Sequence, residues 1–214
     1  AASRAASATR THPKPSARSS AAPALALALA AGAELLRACK TEPQHAAPRL
    51  LLPVTVSTAV TTEISKLRAG RATWRAVQAA FGAPTAPGAI FARADRAGST
   101  AIDAHGNLIR GALAAFAAAA AGADQIEPLP FDPSGAPTEA RRLALNQLHL
   151  LRHEAGLARV QDPAAGAYAI EVQTQALAQA AWQLFQKIEA AGGYAKAPLD
   201  TLLCLTEARA ARTS

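Results

Sequence analysis

The sequence has few cysteines and few aromatic residues, and each shortage excludes a class of protein. Its two cysteines, Cys39 and Cys204, lie far apart in a chain of 214 residues. They therefore form neither the paired spacing of a zinc knuckle nor a disulfide framework, and are predicted to be packed thiols in a reducing compartment. Aromatic residues make up 4% of the chain, which leaves no platform on which the bases of a single-stranded nucleic acid could stack.

Acidic residues are also scarce, above all at the start of the chain. Residues 1–30 contain no Asp or Glu, the formal net charge is +7, and the pI is about 10.1. Summed basic charge attracts phosphate, so RNA binding is one hypothesis. RNA binding ranks third among the three functions considered for this chain. Four of the positive charges lie in the first 20 residues, and the others are spread along predicted helices and not gathered in one patch.

No apolar run reaches the roughly 20 residues that cross a bilayer, so no membrane partner is predicted. Residues 1–23 are rich in Ala, Ser, Arg and Pro, and they predict a low-complexity basic leader that runs into a helix. A transit peptide or a secretory signal is the alternative for this leader. Residues 24–197 are predicted to fold and residues 198–214 to form a C-terminal tail. The expected location is the cytoplasm, or the mitochondrial matrix if the leader is a transit peptide.

The chain is organised around the stretch from Phe91 to Asp132. This stretch begins with an apolar strand, which is followed by a polar loop and an Ala-rich helix. The helix stops at Gly122, and a second strand follows over residues 125–129. This order predicts a parallel βαβ unit. The loop after the first strand would open into a common mouth, although a solvated surface loop is the more frequent case. Its polar residues are Arg93, Asp95, Arg96, Ser99 and Asp103.

Other segments predict further helices and strands that alternate along the chain. The helices are predicted over residues 24–40, with Leu25, Leu29 and Leu36 on one face, and over 62–81, 138–153 (Thr138 as N-cap; Leu143, Leu148, Leu150 and Leu151 as apolar positions) and 172–191. A further strand is predicted over residues 50–56.

Two histidines lie on the predicted helix over residues 138–153. His149 and His153 are four residues apart, so they share a helical face as two metal ligands would. A third ligand is not evident. A pair of surface histidines is therefore favoured over a zinc site.

Three segments carry a resemblance to a known family. They are Glu63-Ile-Ser-Lys-Leu-Arg-Ala-Gly-Arg-Ala-Thr-Trp74, the stretch from Arg93-Ala-Asp-Arg96 through Asp103-Ala-His-Gly-Asn-Leu-Ile-Arg110, and Ala180-Ala-Trp-Gln-Leu-Phe-Gln-Lys-Ile-Glu-Ala-Ala-Gly-Gly193. In order and spacing they resemble the barrel domain of methylmalonyl-CoA mutases and related acyl-CoA mutases. The greatest likeness is to the small, non-catalytic subunit of the two-chain enzymes.

The resemblance covers roughly residues 25–196 and implies an α/β fold of TIM type. It also implies a strand over residues 164–171. A complete (β/α)8 barrel takes about 250 residues, so the chain is expected to form a partial, truncated barrel from the later βα units. Such a half barrel leaves strand edges unpaired, and proteins normally cover those edges. Either a partner chain covers them, which is the expected case, or the fold is loose.

The family's site residues are only partly represented. By resemblance, Arg93 stands at the arginine on the coenzyme A side of the substrate, and Glu154 at a glutamate beside the cobalamin. The cobalt-ligating D-x-H-x-x-G motif has one near match, from Asp103 to Leu108, in which Leu108 replaces the glycine. His105 is therefore interpreted as a substituted tyrosine. The histidine that contacts the substrate thioester in the family has no counterpart.

These matches and gaps imply a non-catalytic, small-subunit-like member of an adenosylcobalamin-dependent mutase. Such a chain would hold no catalytic residue and no metal, would bind no cofactor alone, and would be inactive alone. The implied partner is a large catalytic subunit, in a heterodimer that holds adenosylcobalamin and acyl-CoA. The alternative is part of an active carbon-skeleton isomerase whose cobalamin domain is on another chain. No nucleic-acid partner is predicted.

Overall fold

The structure is a computed structural model, which describes residues 17–39, 42–132 and 137–196. The tail, Cys204 and most of the leader lie outside these residues. In chain order, the described elements are α1 (Ala17–Ala38), α2 (Pro43–Ala46), β1 (Leu52–Val56), α3 (Val60–Ala80), β2 (Ile90–Ala94), α4 (Gly106–Ala120), β3 (Gln125–Glu127), α5 (Thr138–His153) and α6 (Tyr168–Ala190). Short 3-10 turns occupy Ala47–Arg49, Arg96–Gly98 and Leu157–Arg159.

The three strands form a parallel sheet in the order β1-β2-β3. The helices α3 and α4 connect successive strands, which confirms the predicted βαβ unit and the α/β class. The third strand ends at Glu127, earlier than the predicted residue 129, because Pro128 and Pro130 have no backbone N–H to donate to a ladder. The small parallel sheet and its helices are consistent with a partial barrel.

Successive residues of the strands alternate between two unlike sides of the sheet. Leu52, Val54 and Val56 of β1 are buried, and so are the corresponding residues of β2. The opposite side, here called the open face, is exposed except for the half-buried Phe91. It consists of Pro53 and Thr55 of β1, Phe91 and Arg93 of β2, and Gln125 and Glu127 of β3. In a closed barrel this side of the sheet faces the interior.

The buried side of the sheet belongs to a core built on α1 and α3. Leu25, Leu29 and Leu36 are fully buried, which confirms the predicted face of α1. The indole of Trp74 is 1% exposed, and its Nε1 donates to the Leu50 carbonyl at 3.3 Å. Gly32 of α1 permits this packing, because a Cβ there would lie 2.7 Å from the indole ring.

The helix α1 begins at Ala17, whereas the composition predicts a leader up to residue 23. Alanine has the highest helix propensity, so the Ala-rich end of that segment extends the helix. Within the described residues, α1 is also the one helix whose length and apolar composition would suit a bilayer span, over Ala21–Ala38. Half of that stretch is buried inside the fold.

The last helix, α6, packs across α1 and α3. The predicted strand over residues 164–171 is wrong, since residues 163–166 form a turn and α6 begins at Tyr168. The turn is favoured by Gly166, whose φ is 77°. Arg37 near the end of α1 donates to Glu189 of α6, and this hydrogen bond raises the pKa of Arg37.

The helix α5 is covered less than its apolar pattern predicts. Its N-cap is Pro137, and Thr138 is its first helical residue. The fully buried positions are only Ala140 and Ala144, whereas Leu150 is 49% exposed. The other three predicted apolar positions are half-buried. In the part of the chain that the structure describes, the main helical neighbour of α5 is α4.

Candidate functional site

A polar groove lies at the carboxyl ends of β2 and β3. Its volume is about 420 Å3, and we name it the carboxyl-end groove. Its charged residues are Arg93 of β2, Arg96 of the following turn, Glu127 of β3 and Arg141 of α5, and its other residues are Ala94, Pro128, Leu129 and Pro130. Ligands of parallel α/β folds bind at this end of the sheet because the loops there converge.

Arg93 projects from the open face into this groove. Its Nε donates to Oε2 of Glu127 at 2.6 Å, and its guanidinium carbon lies 5.8 Å from the centre of the Phe91 ring. Both charged side chains are about half exposed, so the ion pair contributes roughly 0–1 kcal/mol to stability. Its main effect is to orient the guanidinium across two neighbouring strands.

The two predicted loop carboxylates bind the backbone of their own loops. Asp95 accepts a hydrogen bond from the Ala97 amide at 2.9 Å, and Asp103 accepts one from the Gly106 amide at 3.0 Å. Neither residue lines the carboxyl-end groove. Asp95 and Ser99 instead line a smaller cavity of about 50 Å3. These carboxylates therefore shape the loop between β2 and α4.

Asn107 organises the loops around the groove, a role that the sequence analysis missed. It is fully buried. Its Nδ2 donates to the carbonyls of Thr100 and Phe131, both at 2.8 Å, and its Oδ1 accepts from the Thr100 amide at 3.1 Å. Asn107 thus joins the loop after β2 to the segment after β3. Asn107 lies in the segment up to Arg110 that resembles the family, which the sequence shows. Its hydrogen-bond partners cannot be read from the sequence.

His105 does not have the surroundings of a cobalt ligand. Its ring stacks on Phe131 at a centroid distance of 5.1 Å. In the near match to the cobalt-ligating motif, Asp103 is occupied by a backbone amide, and the half-buried Leu108 stands where the motif requires glycine. These residues do not fit the corrinoid that the resemblance implies. No chemical step through that cofactor is assigned to this chain.

Glu154 lies in a different part of the fold from Arg93. It is exposed at the end of α5 and lines a mostly apolar groove of about 400 Å3 with residues of α4 and α5. This groove shares no lining residue with the carboxyl-end groove. The two residues singled out by resemblance are therefore not brought together.

The histidine pair on α5 is exposed, and its rings stack at 6.0 Å. Across residues 17–39, 42–132 and 137–196, no three His, Cys, Asp or Glu side chains come together as metal ligands would. Cys39 is a half-buried free thiol.

The resembling segment from Glu63 to Trp74 joins β1, α3 and α6. Glu63 and Lys66 form an ion pair whose side chains are 3% and 7% exposed. The hydroxyl of Ser57, just after β1, donates to Oε1 of Glu63 at 2.7 Å. Ser65 donates to the Ile170 carbonyl of α6 at 3.4 Å. This end of the segment is thus structural.

Two arginines of the same segment reach the opposite end of the sheet. Arg71 donates to the Gly122 carbonyl at 2.6 Å and pairs with Asp124 at 2.8 Å. Arg68 pairs with Asp162 and with Glu171. A cavity of about 690 Å3 lies here, but carboxylates already match both of these cations. These arginines therefore connect loops.

Comparison with known proteins identifies relatives over most of the chain. A family model described as methylmalonyl-CoA mutase matches residues 10–206. The methylmalonyl-CoA mutase small subunit of Porphyromonas gingivalis is 36% identical over 175 residues, which are 78% of this chain and 28% of that protein. The small subunit of Propionibacterium freudenreichii subsp. shermanii is 37% identical over 63% of this chain and 22% of its own length. A methylmalonyl-CoA mutase of Cereibacter sphaeroides is 38% identical over 63% of this chain and 20% of its own length. The chain spans about a quarter of the length of these relatives.

Proposed function

The chain belongs to the methylmalonyl-CoA mutase family, and from this premise we propose that it acts as a non-catalytic, small-subunit-like member that supports a catalytic large subunit. The observation that carries the proposal is the open face. Its exposed row of Thr55, Arg93 and Glu127 crosses all three strands, on the side that a closed barrel encloses. A partner that covers this face would complete the wall of a barrel.

The edges of the sheet support the same proposal. In the described sheet, β1 and β3 each pair with β2 only. Unpaired backbone N–H and C=O groups favour the addition of another strand. A strand of the partner that paired with β1 or β3 would extend the three-stranded sheet. The similarity to proteins named small subunits is the second support.

In the proposed complex, adenosylcobalamin and acyl-CoA are held by the large subunit. The cofactor would supply the radical chemistry of the isomerisation when bound there. The residues of this chain would keep the barrel wall in shape. Asn107 would fix the loops at the mouth, and the Arg93–Glu127 pair would present a polar surface to the interior.

A second candidate function is part of an active isomerase whose cobalamin domain lies on another chain. The observation that favours it is the position of Arg93 at the carboxyl end of β2, where an arginine can reach a bound substrate. The two functions differ in one outcome. In the active enzyme, loss of Arg93 would strongly reduce turnover, whereas in the supporting subunit it would not.

We expect the chain to form a complex with a large mutase subunit and Thr55→Arg to weaken it. Thr55 lies on the open face, where a bulky cation would obstruct barrel closure. Thr61→Arg is the matched control, because Thr61 is equally an exposed threonine but lies on α3. Size-exclusion chromatography with light scattering measures the complex, and circular dichroism checks that both variants fold. A compact monomer with sharp unfolding and no affinity for that subunit would refute the proposal.

In the assembled complex, Arg93→Ala and Glu154→Ala are expected to keep turnover within about twofold of the unmodified complex, since neither residue would touch a reacting group. A large loss of turnover in either variant would favour the active-isomerase candidate.

The isolated chain should also leave the absorption spectrum of adenosylcobalamin unchanged at micromolar protein. A saturable spectral shift that His105→Ala abolishes would contradict the assignment of the cofactor to the partner.

A further inference from the structure

The outer side of α4 is apolar and uncovered. Every exposed residue of this helix is a large apolar one, and these residues are Ile109, Leu113 and Phe116, at 69%, 39% and 37% exposure. They are four and then three residues apart, so they form one stripe along the helix. The two polar side chains of α4 do not interrupt it, because Asn107 is buried and Arg110 donates to Asn107 Oδ1 at 3.2 Å. A helix that is apolar on all sides is normally buried on all sides.

The mostly apolar groove between α4 and α5 widens this stripe. Ala112 of α4 and the half-exposed Leu150 of α5 line the groove, and together with the stripe they form a surface that we name the α4 face. The helix α4 has 15 residues, so the face is roughly 20 Å long, and two helices side by side make it roughly 20 Å wide. Two such faces in contact would bury on the order of 1,000 Å2, which is the lower limit for a specific interface.

The α4 face has charges of opposite sign on its two sides. The helix α4 contacts α3 on one side and α5 on the other. Glu154 lines the groove on the α5 side, whereas Arg75 of α3 lines a cavity with Gly122, just after the end of α4. Both charged side chains are exposed, and neither forms an ion pair with another described residue. In a two-fold dimer each residue meets the same partner in both directions, so a face with one acidic and one basic side complements itself.

We propose that the α4 face is an interface between two copies of this chain, related by a two-fold axis near Phe116, with Glu154 of each copy facing Arg75 of the other. Burial of the apolar stripe drives the association, and the two equivalent ion pairs fix the orientation of the copies. The inner side of α4 packs on the buried side of the sheet, so the α4 face points away from the open face. The pairing of two copies therefore does not depend on a large subunit.

Sedimentation equilibrium of the full chain at micromolar concentrations tests the interface. We expect a reversible dimer that Leu113→Glu weakens by roughly tenfold or more, since burial of an unpaired carboxylate is costly. The matched control is Leu35→Glu, because Leu35 is 58% exposed but lies on α1. This control should dimerise as the unmodified chain does, and circular dichroism verifies that both variants are folded. A monomer at all concentrations, or equal weakening by the two substitutions, would overturn the proposal.

Exchange of the two charges tests the arrangement of the copies. Arg75→Glu and Glu154→Arg should each weaken the dimer severalfold, and the double variant should recover the affinity because the pairs form again with reversed sign. Failure of the double variant to recover would contradict the proposed two-fold arrangement. Leu113→Glu should still bind a large subunit, and Thr55→Arg should still form the dimer. These two results distinguish a failure of the dimer from a failure of the proposed function.

Discussion

Replacement of Trp74 by alanine is expected to lower the free energy of unfolding by about 3–5 kcal/mol. The indole is 1% exposed and packs on α1 where Gly32 leaves room for it. The change would leave a cavity between α1 and α3, and the Leu50 carbonyl would lose its donor. Because protein interiors are closely packed, relaxation could fill only part of the cavity.

Urea unfolding followed by circular dichroism measures this loss. The matched control is Trp182→Ala, the same change at a half-buried position on α6. The ring of Trp182 lies tilted against Phe185, with the ring centroids 5.3 Å apart, and its truncation removes less buried surface. We expect its loss to be about half as large or less. Equal losses at the two positions would contradict the expectation that the buried Trp74 stabilises the fold more than the half-buried Trp182 does.

The second large effect is expected at the buried pair of Glu63 and Lys66. Glu63→Gln or Lys66→Met alone should each cost about 3–5 kcal/mol, because each leaves one charge buried without its partner. The double variant should recover most of the loss, since it removes both charges at once. The recovery matters more than the size of either loss. It would separate electrostatic coupling from simple loss of packing.

An exposed pair on α5 provides the control for this cycle. Glu139 and Arg142 are separated by 3.8 Å, and their side chains are 71% and 65% exposed. Glu139→Gln should therefore change stability by less than about 1 kcal/mol. All variants are compared by urea unfolding at one pH and one salt concentration. Additive losses in the double variant of Glu63 and Lys66 would contradict the coupling.

Much of the fold could be predicted because periodic patterns report burial directly. The spacing of Leu25, Leu29 and Leu36 predicted the buried face of α1, and the alternation of strand and helix predicted the parallel sheet. The start of α6 could not be predicted in this way. The run from Ala164 to Glu171 is short and mixed, so its periodicity does not distinguish a strand from a turn followed by a helix.

The candidate site was harder to predict than the fold, because it is assembled from separate elements. Arg93 followed from the βαβ pattern, since the end of a strand can be located in a sequence. Arg141 is distant from it in the chain and reaches the groove only because α5 folds back beside α4. The exposure of Leu150 had the same cause, since the neighbours of a helix flank are set by tertiary packing. Local patterns carry no information about such neighbours.

The pairing of α1 with α6 has a consequence for how the chain acquires its structure during synthesis. Arg37 and Glu189, which join these two helices, are 152 residues apart. The helix α6 covers apolar faces of α1 and α3. Until α6 has left the ribosome, these faces remain exposed to water and to other nascent chains. A long loop must also close before these contacts form, which slows folding. The helix α1 is therefore synthesised well before it is enclosed, and its exposed apolar face would be a binding surface for a chaperone.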